Sequence, residues 1–420
     1  MELFHQLGRS IEDAWRALDY NEEAFPALAG EALAGADLPS KISGWDVLEW
    51  TLAQTELPRQ KDIRANFGDP PITLFTSPRF YIDVYFWFEG TTAIHQHAFC
   101  GAFQVLMGSS IHSWYEFERR ESVNVFTEIG DMSLKACDIL NVGDVQQIRS
   151  GREYIHSLFH LDQPSATIVV RTEKSPLHMP QYSYHKPNLA LDPFYEDETT
   201  TKKMQTVAAL MRAEHASAET LIMQLIETSD FQTAYQLLTT LHGFSRSNGV
   251  GQIFDLDAPR ARFNRFLEAV VKRHGEKAAV IPKVFERNER LNQIVAQRNV
   301  LTDPEHRFFL ALLLNVEGRE RIFSLVRQRF SDAEPIDKVL DWIYDISQTR
   351  VVGSNMPNPL NIADFDDIDI AVLEGLFHGK DETAILADLH GQQANITSEQ
   401  LGARLGKLTS AVLFQPLLVP

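Results

Sequence analysis

A chain of 420 residues is long enough for two or three domains with substantial cores. Its apolar residues make up 44% of the total and are spread along the whole length, which excludes a disordered or collagen-like protein. With 39 basic against 57 acidic side chains, the net charge of −18 repels phosphate backbones and anionic lipid, so neither nucleic acid nor a membrane is an expected partner.

Cys100 and Cys137 are too few for a disulfide framework or a thiolate zinc site and point to a reducing compartment. The opening residues show no basic stretch followed by an apolar core and a small-residue cleavage site, so no signal peptide is expected. The longest apolar run, residues 308–314, falls far short of the ~20 residues a membrane span needs and reads as a buried helix. The expected location is the cytoplasm.

Residues 1–68 read as a helical extension, with apolar residues at helical spacing in segments 12–18 and 45–52. The texture changes at Pro70 and Pro71. From 72 to 172 the apolar residues are β-branched or aromatic and partly alternate, as in 81–88, 102–107 and 166–170, with Gly and Asp turns between them. This predicts many short strands forming a sandwich or barrel. Residues 173–200, with four prolines and an acidic run at 196–198, read as a linker or an arm wrapping the barrel.

The remainder reads as helical. Capping boxes are expected at 229–232, 302–305 and 397–400, where a hydroxyl and an acid or amide satisfy reciprocal backbone donors. Residues 260–298 carry ten Lys and Arg against four Glu, which predicts either a solvated helical face or a docking face for an acidic partner or a second copy of the chain. The acidic run at 364–369 lacks the turn glycine and distal glutamate of a calcium loop and reads as charge at a helix N-terminus. From 368 to 420, three short helices followed by an extended apolar segment at 411–414 resemble a winged-helix module. Nine acidic against three basic residues from 364 onward give it an interaction role rather than a phosphate-binding one.

The chemical signal lies among the histidines, seven of whose fourteen fall between 95 and 185. His95 and His97 are spaced so that both imidazoles leave one face of a strand and can converge on one ion. Further on, Gly143 and Gly151 frame a short strand, and His156 follows on the next one. These two segments resemble the paired motifs of the cupin superfamily, over about 100 residues. The resemblance implies a double-stranded β-helix, a jelly-roll barrel, holding a divalent metal on His95, His97 and His156. The fold class expected is α+β: a helical extension over 1–68, this barrel over 69–190, a helical domain over 200–363 and the winged-helix-like segment over 364–420.

Departures from the cupin pattern shape the expected chemistry. The usual glutamate after the first pair is absent, Arg149 stands for a proline, and His160 stands where Asn is common. A three-histidine site without a carboxylate is similar to that of the thiol dioxygenases, the cysteine dioxygenase branch, which bind ferrous iron. The Ser-His-Tyr trio of that branch has no counterpart, Thr167, Val169 and Arg171 standing there. The resemblance implies a non-haem Fe(II) dioxygenase acting on a small molecule, with a thiol as one candidate. A His₃ site also takes Mn, Ni or Zn.

Around the metal, Tyr154 and His160 share the strand face of His156, and each reads either as a hydrogen-bonding catalytic group or as packing. Arg171 reads as a carboxylate clamp or a rim ion pair. Tyr81, Tyr85, His112 and Cys100 are further interior candidates. No Gly-rich phosphate loop, GxSxG elbow or HExxH helix occurs. A non-catalytic barrel that senses a metal or ligand and engages a protein partner through its helices is the alternative from another class.

Overall fold

The computed structural model describes residues 1–63, 68–88, 93–246, 258–298, 300–351 and 356–419. The expected helical extension and helical domain include positions outside this set, at 64–67 and at 247–257, 299 and 352–355. Two compact units emerge, one comprising Met1–Glu116, Leu134–Met179 and Glu289–Pro420, the other Phe117–Ser133 and Pro180–Asn288.

The first unit opens with helices α1 (Glu2–Arg16), α2 (Phe25–Ala36) and α3 (Gly44–Ala53). Phe4, Leu7, Ile11 and Trp15 recur at helical spacing and are buried, which makes α1 a one-sided helix. Pro26 sits in the first turn of α2, where its missing N–H leaves no bond unmade. Ser43 and Asp46 close a capping box on α3.

Eleven strands follow among the described residues: β1 (Pro71–Thr76), β2 (Phe80–Trp87), β3 (Ile94–His97), β4 (Gly101–Met107), β5 (Ser110–Asn124), β6 (Thr127–Leu140), β7 (Val145–Ile148), β8 (Gly151–His160), β9 (Ser165–Thr172), β10 (Ser183–His185) and β11 (Leu189–Leu191). Five form a sheet in the order β1-β2-β9-β4-β7. Strand period decides what each face of it does. Phe80, Ile82, Val84 and Phe86 of β2, with Ile168 and Val170 of β9, face the helices and share a core with Phe4, Trp15, Phe25 and Leu33. The intervening side chains face the other way: Tyr85, Phe103, Val105 and Val169 pack with Tyr154 and Leu158 of β8 into an interior cluster.

The second sheet runs β10-β11-β6-β5-β8-β3 and closes into a barrel. The two glycines singled out in the sequence stand at its turns, Gly143 at φ +95° and Gly151 at φ +70°, conformations that L side chains resist. Residues 173–200 are neither plain linker nor arm, because β10 and β11 lie within them and β11 pairs with β6.

After α8 (Val280–Gln297), the first unit continues through α9 (Pro304–Asn315), α10 (Arg319–Arg329), α11 (Pro335–Gln348), α12 (Asp367–Phe377), α13 (Glu382–Gly391), α14 (Ser398–Ser410) and α15 (Gln415–Leu418). Residues 308–313 are buried in α9, as the apolar run predicts. These helices share one core with Ile111, Ile139 and Phe159, on β5, β6 and β8. Ile111, Ile139 and Phe159, which point away from the interior, are therefore covered by the C-terminal helices.

In the second unit, α4 (Glu198–Arg212), α5 (Ala218–Thr228), α6 (Phe231–Arg246) and α7 (Ala258–His274) enclose Ile222, Leu238, Phe266 and Phe285 together with Ile129 and Leu189. Part of the basic stretch is consumed internally: Arg265 grips Glu219 with two nitrogens, and Lys277 pairs with Glu121.

Some local expectations are corrected. Thr397 and Gln400 do form a capping box, but the neighbouring helices are capped by Asp230 and Asp303, whose carboxylates accept from backbone N–H groups at 2.7–3.2 Å. Segment 411–414 is not extended. Val412–Phe414 is a 3₁₀ turn leading into α15, which lets Leu413, Phe414 and Leu417 enter the helical core. The acidic run at 364–369 does mark a helix start, with Asp366 and Asp369 forming the capping box of α12.

Candidate metal centre

Strand β3 holds two residues of the centre and β8 the third. His95 pairs in register with His156, and His97 pairs with Gly151, so an irregularity between them re-aims the short strand as it carries two histidines inward. One ring nitrogen from each of His95, His97 and His156 lies within 4.8 Å of the other two. His97 Nε2 approaches His156 Nε2 to 2.7 Å.

Partners fix which nitrogens face the cluster. His95 Nδ1 lies 2.7 Å from the Ala93 carbonyl, which can only accept, so the proton sits on Nδ1 and Nε2 keeps its lone pair. His156 Nδ1 lies 2.9 Å from His112 Nε2 and leaves Nε2 for the cluster. Burial lowers the pKa of His95 and holds those of His97 and His156 well below the ordinary histidine value. The three rings are thus neutral at physiological pH, the form in which imidazole ligates metal.

The donor set fits a divalent ion. Metal–imidazole bonds of about 2.1 Å at right angles place two nitrogens about 3.0 Å apart, close to the 2.7 Å between His97 and His156. For this pair the side chains need shift by only a few tenths of an ångström. His97 Nδ1 is buried and bonds to nothing in the protein, so its Nε2 is the nitrogen committed to the cluster. Among the described residues no carboxylate joins the group, and its three donors are neutral.

The remaining predicted residues are placed as follows. Tyr154 packs its ring 4.6 Å from that of His156 and directs its hydroxyl to His112 Nε2 at 3.3 Å, and burial pushes its pKa up. His160 is not among the clustered ligands. Its Nδ1 takes a 2.7 Å hydrogen bond with Ser165 Oγ, and its ring stacks on Trp87 at 4.6 Å. Arg171 lies with its guanidinium carbon 3.4 Å from the centre of the Phe99 ring, and His97 packs on that same ring at 4.3 Å. No carboxylate of the described residues comes within ion-pair distance of Arg171, and its Nε is buried without a partner.

Tyr81 and Tyr85 also face inward. Tyr85 donates to Asp83 at 3.0 Å, and burial raises the pKa of this acid. Cys100 faces the N-terminal helices instead, hydrogen-bonded near Thr172, with its thiol pushed up to about 11 by burial; it is a filler, not a nucleophile. The contact that sequence reasoning missed is between His112 and His156. Alternation marks His112 as inward-facing, but its partner depends on the pairing of β5 with β8, which no local signal gives.

No protein-family model matches the chain, and no curated protein matches it. Among solved structures it is similar to the capsular polysaccharide assembling protein CapF from Staphylococcus aureus, at 18% identity over 34% of this chain and 40% of that chain, with a TM-score of 0.20. The chain thus spans less than half the length of that protein.

Proposed function

We propose that this protein is a metal-dependent barrel of the cupin type that acts as a non-haem ferrous dioxygenase on a small anionic molecule, small thiols being the first candidates. The observation that supports it is the convergence of three neutral imidazoles, two of them buried and that of His95 half-buried, without a carboxylate among the described residues. His95, His97 and His156 hold the ion. Iron bound there supplies Lewis-acid and redox chemistry, and the neutral donors leave its charge free to attract an anion.

The protein's own groups set the substrate class. Arg171, stacked on Phe99 beside His97 and without an ion-pair partner among the described residues, presents a planar fork suited to a carboxylate. The apolar cluster of Tyr85, Phe103, Val105, Leu158 and Val169 keeps bulk water from the interior. Tyr154, kept protonated by burial, is a hydrogen-bond donor rather than a base.

Metal analysis of protein purified without chelator, followed by oxygen uptake of the Fe(II)-loaded protein across small thiols and carboxylates, tests the reading. Stoichiometric Fe, Mn, Ni or Zn that disappears in His97→Ala supports the ion site. Oxygen uptake no greater than buffer with every compound sinks the dioxygenase.

One observation favours a second reading, a metal- or ligand-sensing barrel that engages a protein partner. The strand carrying His156 also carries Phe159, which lies in the core of the C-terminal helices. Metal-dependent change in amide exchange over 304–377, with no oxygen uptake, would favour the sensor.

A further inference from the structure

The geometry points to His112 as a positioning residue that fixes the tautomer and ring angle of His156 for metal binding, an inference that rests on the ion site proposed above. His112 is fully buried, and its Nε2 lies 2.9 Å from His156 Nδ1 and 3.3 Å from the Tyr154 hydroxyl. Trp114 stacks on the His112 ring at 4.0 Å, which limits tilting of the ring out of this plane.

The bonding pattern has two forms. If His112 Nε2 bears the proton, His156 must accept at Nδ1, its own proton moves to Nε2, and the nitrogen facing the cluster is blocked. If His112 carries its proton on Nδ1, its Nε2 accepts from both His156 Nδ1–H and the Tyr154 hydroxyl, and His156 Nε2 is free to ligate. The second form gives His156 Nδ1 and the Tyr154 hydroxyl an acceptor and leaves His156 Nε2 free to ligate, at the cost of a His112 Nδ1–H buried without a partner. Tyr154 thereby acts on the metal ligand through His112, while its ring packs on His156 directly. Outer partners of ligating histidines of this kind typically change metal affinity by about 10–100-fold.

The test uses Co(II) binding to the full chain, followed by visible absorption and by competition with a chelator. His112→Phe keeps the ring shape but removes the acceptor, and should weaken Co(II) binding by about 10–100-fold and shift the absorption bands. His112→Gln places an amide oxygen near the lost nitrogen and should restore affinity to within a few-fold. Tyr154→Phe should weaken binding less than His112→Phe. Equal loss in the Phe and Gln variants would show a merely structural role and overturn the inference. Nitrogen-15 spectra of metal-free wild-type protein provide a check that needs no variant: a proton on His156 Nδ1 supports the assignment, and one on Nε2 overturns it. Failure of wild-type protein to bind any Co(II) would instead remove the ion site itself.

Discussion

His160 is buried where a charge cannot be hydrated, so acid should unfold the protein partly through this residue. It is 3% exposed, stacked on Trp87 and bonded to Ser165, with Nε2 meeting no partner. Burial lowers its pKa to about 3, against about 6.5 in an unfolded chain. Between those values the unfolded chain binds a proton that the folded one refuses, so stability falls as pH falls, by about 1.4 kcal/mol per pH unit. At pH 5 this one side chain should cost the fold about 2 kcal/mol relative to neutral pH. His160→Asn cannot titrate and retains a group able to bond Ser165. Urea unfolding of chelator-treated protein, followed by tryptophan fluorescence at pH 7.5 and pH 5, should show wild type losing about 2 kcal/mol more than the variant. Equal losses in the two proteins would refute the idea that His160 is held neutral by burial.

Ion binding should raise the thermal transition, since a ligand at 100 times its dissociation constant adds about 2.7 kcal/mol; calorimetry with and without Zn(II) should show the shift in wild type and none in His97→Ala. Gly8 lets α1 lie against β1, because a Cβ there would stand 2.4 Å from the Phe75 ring. Gly8→Ala should therefore cost about 1–3 kcal/mol in urea unfolding, and adding Phe75→Leu should recover part of it. Asp369 is fully buried between Arg404 and Lys407, each at 2.8 Å. Its replacement by Ala takes this carboxylate from Lys407 and opens the capping box of α12, while Arg404 keeps Asp366, and should lower stability by about 1–3 kcal/mol, read from the same unfolding curves.

How far the molecule was legible follows from the range of each signal. The barrel interior was visible because alternation is local: in 80–87 it sends Phe80, Ile82, Val84 and Phe86 to the helices and Tyr81, Asp83 and Tyr85 to the interior. His95, His97 and His156 were visible because spacing and two turn glycines frame them. Caps shifted by one residue: Asp303 takes the Glu305 donor expected for the adjacent hydroxyl and that of His306 as well, and Asp230 accepts from Thr233, one residue beyond the expected donor. The apolar segment 411–414 has no period of its own; its turn is imposed by packing of Phe414 and Leu417 into the core. The bond between His112 and His156 needs two residues 44 positions apart to be aligned, information held only in the register of β5 and β8. The division into two units was equally hidden, because β5 and β6 each run from one into the other.

That register also gives the long C-terminal region a physical relation to the site. In β8, period two sends Tyr154 and Leu158 into the interior, where His156 meets His97 and His112, while Phe159 turns outward into the core built by α9 to α15. Among the three candidate ligands, His156 alone stands on a strand that contributes to this core; β3, which carries His95 and His97, does not, among the described residues. Closely packed interiors transmit small shifts because they cannot absorb them as a liquid would. A displacement of β8 on ion binding would therefore reach the helices through Phe159, and Ile111 on the paired strand β5 lies in the same core. The asymmetry bears on the sensor reading alone. A catalyst requires only that the three donors converge, whereas a sensor requires in addition that one donor's strand be packed against another element, and β8, which carries His156, is so packed.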